Sequence, residues 1–525
     1  MVSRRSSTSA ICVPPHPDTH PPAQDTAVPT SDWYADRYSI FLLVLLYAAQ
    51  GLPVGLAFGS IPFLLKENGA TYAALATFSF ASLPYSLKLI IAPAVDAFYS
   101  PSFGRRKSWI VPVQLVIGLV LFLLSSSIHH WVLHTNVNAL TPTFFLIIAL
   151  VATQDIAVDG WSLTMLRKEN VSYASPCQSL GLSLGYFATF TIFLAFSNDK
   201  FCDKYLRPFI PSATTGALLD LGLALRFVGL YYLLLTAYVT FAKNENTAPE
   251  KKSDDTFEEP GSDGESSTSS RSNAPLSALD SIRNTYKDVL VVIRLPAVKA
   301  LVGALLVAKL GFSAHDNVSS LKLLELGFSK ESMASMAVIQ APLTLLGTVI
   351  TGTLVADKSP ITVYLMGYFC RLVLSLTGPP CVAWLARQNG VVTPLYFLII
   401  LCMTIMYSIA AECLMFIGIG AFFLKISSSS VHVAGSYLTL LNTSSNMGGI
   451  WHKAVVLWLV DKLTVREECV IAPDAAEGTQ CPILYDGYYV IAAALFPVAA
   501  GVGLYLMKKL PTLGRLPESA WRASR

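Results

Sequence analysis

Twelve predominantly apolar stretches, six on each side of one long hydrophilic break, constrain this chain more than any other feature of its sequence. A bilayer-spanning helix needs about 20 such residues. By that rule spans fall near 39–65, 72–96, 108–130, 142–166, 172–197 and 222–242, then 297–316, 332–356, 360–386, 391–424, 432–460 and 487–508. Charge is too scarce to cover a water-facing surface. Of 525 residues, 14% are charged and 53% hydrophobic, against about 25% and 45–50% in soluble domains. The sequence therefore predicts an all-α polytopic membrane protein. The tenth stretch exceeds what a straight crossing needs, which predicts a tilt, a kink or a protruding end.

The hydrophilic remainder has three parts. Residues 1–38 are rich in Pro, Ser and Thr, lack the apolar core of a signal peptide and read as a disordered tail; 509–525 form a second tail. Residues 243–296 form the linker between the halves 39–242 and 297–508. Its first portion is Ser-rich and acidic (Asp254, Asp255, Glu258, Glu259, Asp263, Glu265). In its second portion Leu276, Leu279, Ile282, Tyr286, Val289, Leu290 and Ile293 recur every three or four residues, with Asp280, Arg283 and Lys287 between them. That spacing predicts an amphipathic helix in the membrane interface, ended by Pro296. The simpler alternative is an extension of the seventh span.

Orientation follows the Lys/Arg bias between spans. Apart from the linker, the side bearing both termini holds 15 Lys/Arg and the opposite side nine, so both termini are expected in the cytosol. Cys202, Cys469 and Cys481 then face the lumen or exterior, where oxidising conditions permit a Cys469–Cys481 disulfide. Net charge is +3 with no basic stripe, which gives no support for nucleic-acid binding. The cysteines show no metal-ligand spacing, and His315, His432 and His452 have no second ligand three or four residues away. Asn317-Val-Ser319 is a glycosylation sequon on the predicted lumenal side, close to the membrane and not expected to be used.

Two six-helix halves joined by a long loop are the layout of major facilitator transporters, whose substrate lies near the midplane between the halves. The connection from Asp96 to Gly104-Arg105-Arg106 resembles the loop signature of that superfamily. Asp96, Arg105 and Arg106 would form an ion-paired cytosolic gate; the bland alternative is a positive-inside cluster. Charges within spans are costly unless paired or wet. Asp155, Lys309 and Arg371 lie deep in spans four, seven and nine; Lys88, Asp159 and Glu412 lie nearer the cytosol, and Arg226 nearer the lumen. Asp155 and Asp159 are four apart and share a helix face. Lys88, Arg226, Lys309 and Arg371 in a common cavity would suit a polyanion, or else pair with Asp155, Asp159 and Glu412 to hold helices together.

Several stretches resemble the acetyl-coenzyme A transporters of the endoplasmic reticulum membrane. They include Gln50-Gly-Leu-Pro-Val-Gly-Leu56, Ser86-Leu-Lys-Leu89, Phe103-Gly-Arg-Arg-Lys-Ser-Trp109 and Gln154-Asp-Ile-Ala-Val-Asp-Gly-Trp161. In the second half come Ala308-Lys-Leu-Gly-Phe-Ser-Ala314 with Asp316, Tyr437-Leu-Thr-Leu-Leu-Asn-Thr443, Ser445-Asn446 and Asp486-Gly-Tyr-Tyr489. The resemblance implies a major facilitator carrier, not an enzyme, importing cytosolic acetyl-CoA into the lumen in exchange for CoA. These are transported substrates, and no cofactor is implied. It makes Lys88, Lys309, Arg371, Arg226, Asp155, Asp159, Asn442 and Asn446 candidate substrate contacts, with Tyr85, Trp161 or Trp451 as stacking partners for adenine. Where His452-Lys453 follow Trp451, the family pattern leads one to expect Pro and a small hydroxyl residue. A cation there would tune release or snorkel to the interface. Alternatives are a proton-coupled carrier of another anion, like the muropeptide permeases, with Asp155 or Asp159 taking the proton, or a membrane-embedded acetyltransferase. Besides the bilayer and the carried nucleotides, the partner left open is a second copy of the chain in a homo-oligomer.

Overall fold

A computed structural model describes residues 33–167, 170, 174–203, 207, 217–243, 245, 278–429, 434–467 and 483–522. Six spans form the first half: Tyr34–Glu67, Tyr72–Val95, the pair Lys107–Leu123 and Ser125–Leu133 bent by 57°, Val137–Met165, Cys177–Phe196 and Leu221–Ala242. Six more follow in the second: the pair Pro296–Phe312 and His315–Glu325 bent by 45°, Lys330–Asp357, Pro360–Arg387, Pro394–Ser427, Ala434–Leu463 and Gly487–Gly514. The eleventh, though 30 residues long, is too polar to count as a span by composition, so among the described residues eleven of the twelve qualify, counting each bent pair as one. The seventh runs past its expected end at residue 316 to Glu325, because a widened turn at His315–Ser319 carries the helix through His315-Asp316 instead of stopping there. Asn317 of the sequon is consequently inside this helix, its amide donating to the Ser313 carbonyl at 2.8 Å. The long tenth span carries a similar widened turn at Ile409–Met415.

The expected amphipathic helix is present as Ala278–Arg294. Leu295 turns to an extended conformation and Pro296 opens the seventh span, so the two helices are separate. Val289 and Val292 are buried, and the Tyr286 hydroxyl donates to the Ile90 carbonyl of span two at 2.6 Å.

A helix start leaves backbone N–H groups without partners, a costly condition next to lipid. Every even-numbered span answers this with a side-chain cap: Thr71, Asn136, Asp220, Ser329, Thr393 and Asp486 each accept a first-turn N–H. Proline at the first helical position does the same for spans seven and nine, since it has no N–H to satisfy. Span three is capped in trans: the Glu245 carboxylate accepts from the N–H groups of Arg106 and Lys107 at 3.0 Å.

Two buried apolar cores result. The first holds the N-terminal half together and continues into Val318 and Leu321 of span seven, Val456, Leu457 and Val460 of span eleven, and Tyr488 and Ile491 of span twelve. All these lie toward the face opposite the termini. The second core belongs to the C-terminal half, and from the other half Leu89 packs against it. Span eight likewise meets span five along 188–196, the end nearer that opposite face. The halves are therefore in contact at the opposite face, and nearer the termini span two also meets span eleven and the amphipathic helix. Leu123, Phe227, Leu234, Phe241, Val349 and Phe416 are exposed around the outside, as a lipid-facing belt requires.

Candidate functional site

Span two tightens over Phe80–Leu87 around Pro84, and Lys88 begins the helix that resumes. The break directs its ammonium to Asp155 of span four, with which it forms an ion pair, and 3.7 Å above the Tyr85 ring. Asp155 is buried, and its second oxygen has no hydrogen-bond partner. One turn further along span four, Asp159 accepts from Tyr47 of span one at 2.9 Å and Gln178 of span five at 3.0 Å. Spans one, two, four and five thus converge on two carboxylates and one cation.

The C-terminal half has its own cluster. Lys309 lies in the break after Pro296–Ala308, and its ammonium donates to the Ser445 carbonyl of span eleven at 3.1 Å. The widened turn of span seven presents Asp316 to Arg371 of span nine, 2.7 Å away, and Tyr407 of span ten donates to the other Asp316 oxygen. The Arg371 guanidinium also lies over the Phe312 and Tyr407 rings, at 4.6 and 4.9 Å. A π-type turn is often retained where function needs an irregular helix, and here it places the partner of the deepest arginine.

The opposite face is closed by an ion cluster crossing the halves. Glu325 of span seven lies 3.5 Å from Lys66 of span one and 3.0 Å from Lys322, and accepts from Tyr72 of span two at 3.1 Å. Lys322 in turn reaches Asp486, the cap of span twelve, at 2.7 Å. At the other face, the Arg106 guanidinium lies against Gly160 of span four, where any side chain would overlap it. Arg105 stacks 5.8 Å from Tyr99. The side chain of Asp96 lies outside the described residues, as do Cys469 and Cys481, although the strands β1 (Val465–Arg466) and β2 (Ile483–Tyr485) flanking those cysteines pair antiparallel.

Several expected residues are elsewhere. Arg226 is exposed and donates to the hydroxyls of Ser125 and Ser126 at 3.1 and 2.8 Å, so it braces the bend in span three and does not join the other cations. Trp161 is buried in the first core, without a free ring face, and Trp451 donates to the Leu306 carbonyl at 2.9 Å. One Tyr85 face is taken by Lys88. Asn442 is exposed and Asn446 half-buried on span eleven. The expected carboxylate partners were Asp155, Asp159 and Glu412, yet Arg371 takes Asp316, which sequence reasoning put at the end of a span. The Lys66–Glu325–Lys322–Asp486 cluster was also missed. Its one sequence signal is Lys66 and Asp486 at predicted span ends and Lys322 and Glu325 in the predicted connection after span seven, charges that loops supply equally well.

The family model described as acetyl-coenzyme A transporter 1 matches residues 39–352 and 347–523. An uncharacterised membrane protein of Saccharomyces cerevisiae is 33% identical over 93% of this chain and 98% of its own length. An uncharacterised protein of Schizosaccharomyces pombe is 34% identical over 92% and 89%. A putative AmpG transporter of Rickettsia felis is 34% identical over 29% of this chain and 36% of its own. The fold matches the crystal structures of a D-xylose–proton symporter (TM-score 0.55, 12% identity, 91% of this chain and 99% of that one) and the nucleoside transporter NupG (0.54, 12%, 90% and 98%). With the major facilitator fold, the paired six-span halves and a family match along nearly the whole chain, this protein is a membrane transporter and belongs to the acetyl-coenzyme A transporter family.

Proposed function

We propose that this protein carries acetyl-CoA from the cytosol into the lumen of the endoplasmic reticulum by alternating access, in exchange for CoA. The observation that carries the reading is Lys309: a cation in the broken seventh span of a chain of this family, hydrogen-bonded to a carbonyl and not ion-paired among the described residues. A cation so placed is costly, and the phosphates of a CoA ester would offset that cost. The ion cluster that joins the halves at the face opposite the termini supports a state that admits substrate from the cytosol. Orientation, compartment and exchange rest on the Lys/Arg bias and on the family.

The test is uptake of acetyl-CoA, labelled on both acetyl and adenine, into proteoliposomes preloaded with CoA or left empty. Equal entry of the two labels, faster with CoA inside, is expected. No uptake by folded protein would sink the reading; entry of acetyl alone would indicate acetyl transfer.

A second reading is a proton-coupled carrier of another anion. It is favoured by the partial likeness to AmpG transporters and by Asp155 and Asp159, which lie one turn apart with one cation between them. Uptake driven by an imposed proton gradient, without CoA, would favour it.

A further inference from the structure

Asn442, Asn446, Gly449 and Lys453 follow one another on span eleven at intervals of four, three and four, so they share one helix face. The side chain of Lys309 lies across this face. A Cβ added at Gly449 would stand 3.3 Å from its Cδ and 3.6 Å from its Nζ. Lys453 follows one turn later, about 6 Å along the axis.

The Lys453 ammonium lies 6.0 Å from the centroid of the Phe58 ring of span one, so the side chain projects toward the N-terminal half. It does not snorkel. From Lys453 to the helix end at Leu463 is about 15 Å, more than a lysine side chain covers. Its neighbour fixes this direction. His452 is buried, its Nε2–H donates to the Gly448 carbonyl at 3.0 Å, and its Nδ1 accepts from the Ser313 hydroxyl at 2.7 Å. Span eleven is thereby locked against span seven at the residue before Lys453.

Neither ammonium has a carboxylate partner among the described residues. Asp155 is paired with Lys88, Asp316 with Arg371, and Asp159 is held by Tyr47 and Gln178. A cation in a span with no carboxylate partner is costly. An anion reaching both ammoniums would offset that cost at two places on one face of the cavity.

We propose that Lys309 and Lys453 form a two-lysine site for the diphosphate of the carried nucleotide. The inference rests on the acetyl-CoA reading for its ligand and on this geometry for its place. Two cations offset along a helix suit two linked phosphates, one for each ammonium. Asn446 and Asn442 continue the same face toward the terminus-bearing side, offering uncharged hydrogen-bonding groups to the rest of an extended molecule.

The test compares Lys453→Met, which keeps the contact with Phe58, with Lys453→Arg, which keeps the charge. Acetyl-CoA uptake is measured alongside thermal unfolding in inorganic pyrophosphate. Losing one charge-assisted contact should raise KM about tenfold or more in the Met variant, with maximal rate largely kept and the Arg variant near wild type. Acetyl-dephospho-CoA, which lacks the 3′-phosphate, should show the same ratio. Pyrophosphate should stabilise wild type but neither Lys453→Met nor Lys309→Met. An unchanged KM, a loss confined to maximal rate, or a loss that vanishes without the 3′-phosphate would overturn the assignment. If wild type takes up no acetyl-CoA while pyrophosphate still stabilises it through Lys453, the substrate reading fails and the two-lysine site stands.

Discussion

Arg371 of span nine lies 2.7 Å from Asp316 of span seven, making the broken helix and its neighbour one electrostatic unit. Removing one partner of a buried pair leaves the other charge uncompensated, whereas removing both is often close to neutral. Arg371 is buried but the Asp316 side chain is 26% exposed, so Arg371→Gln is expected to cost about 1–3 kcal/mol, and Asp316→Asn a similar amount. The Asp316→Asn/Arg371→Gln double variant should recover most of that stability. Thermal unfolding in detergent reads these differences. Additive losses would mean that the pair does not act as a unit.

Glu325 ties Lys66 and Tyr72 of the first half to Lys322 of the second. The contacts with Lys66 and Tyr72 exist only while the opposite face is closed, so they bias the carrier toward the state seen here. Each charged hydrogen bond contributes about 1.5–3 kcal/mol. Glu325→Gln should thus shift the equilibrium about tenfold or more toward opening at that face. Ala70, buried beside the cluster, supplies the reporter. A cysteine placed there should react faster with an impermeant maleimide in the Glu325→Gln background, and an unchanged rate would show that the cluster does not latch the halves.

Eleven of the twelve expected spans and the amphipathic helix were legible because each is a local pattern in polarity. The depth of Lys88, Lys309 and Arg371 was legible too, since few charges interrupt the spans. Partner choice was not. Asp316 was read as a span end because polar His315, Asp316 and Asn317 follow one another, as they would at an interface. In the folded chain a widened turn keeps those residues helical and rotates Asp316 toward Arg371. Arg226 misled for the opposite reason: as a charge within a span, nearer the lumenal end, it was grouped with the other cations, but its side chain turns to the bend in span three. Depth follows from position in a sequence, whereas direction depends on which helix packs alongside.

Spans one and five cross on glycine. A Cβ on Gly51 would overlap the Leu182 carbonyl, and one on Gly185 the Ala48 carbonyl, so even alanine does not fit at this crossing. Close approach through small residues is a main source of helix association in a bilayer. Gly185→Ala should cost about 1–3 kcal/mol by overpacking, while Gly303→Ala, with open space around its Cβ position, should be near neutral. Paired thermal unfolding measurements check the contrast.

Asp159 separates the two functional readings. One oxygen accepts from both the Tyr47 hydroxyl and the Gln178 amide, which leaves the other oxygen available for a proton. If the carrier exchanges one CoA species for another, Asp159 orders spans one, four and five without changing charge during the cycle. Asp159→Asn keeps an acceptor oxygen for Tyr47 and Gln178, so exchange should fall by no more than about tenfold, the worth of one weakened hydrogen bond. If transport is instead driven by protons, a side chain that cannot titrate abolishes accumulation against a gradient while leaving downhill exchange intact. Measuring both in the same proteoliposomes decides the matter: parallel modest losses support exchange, and selective loss of gradient-driven uptake assigns the proton to Asp159.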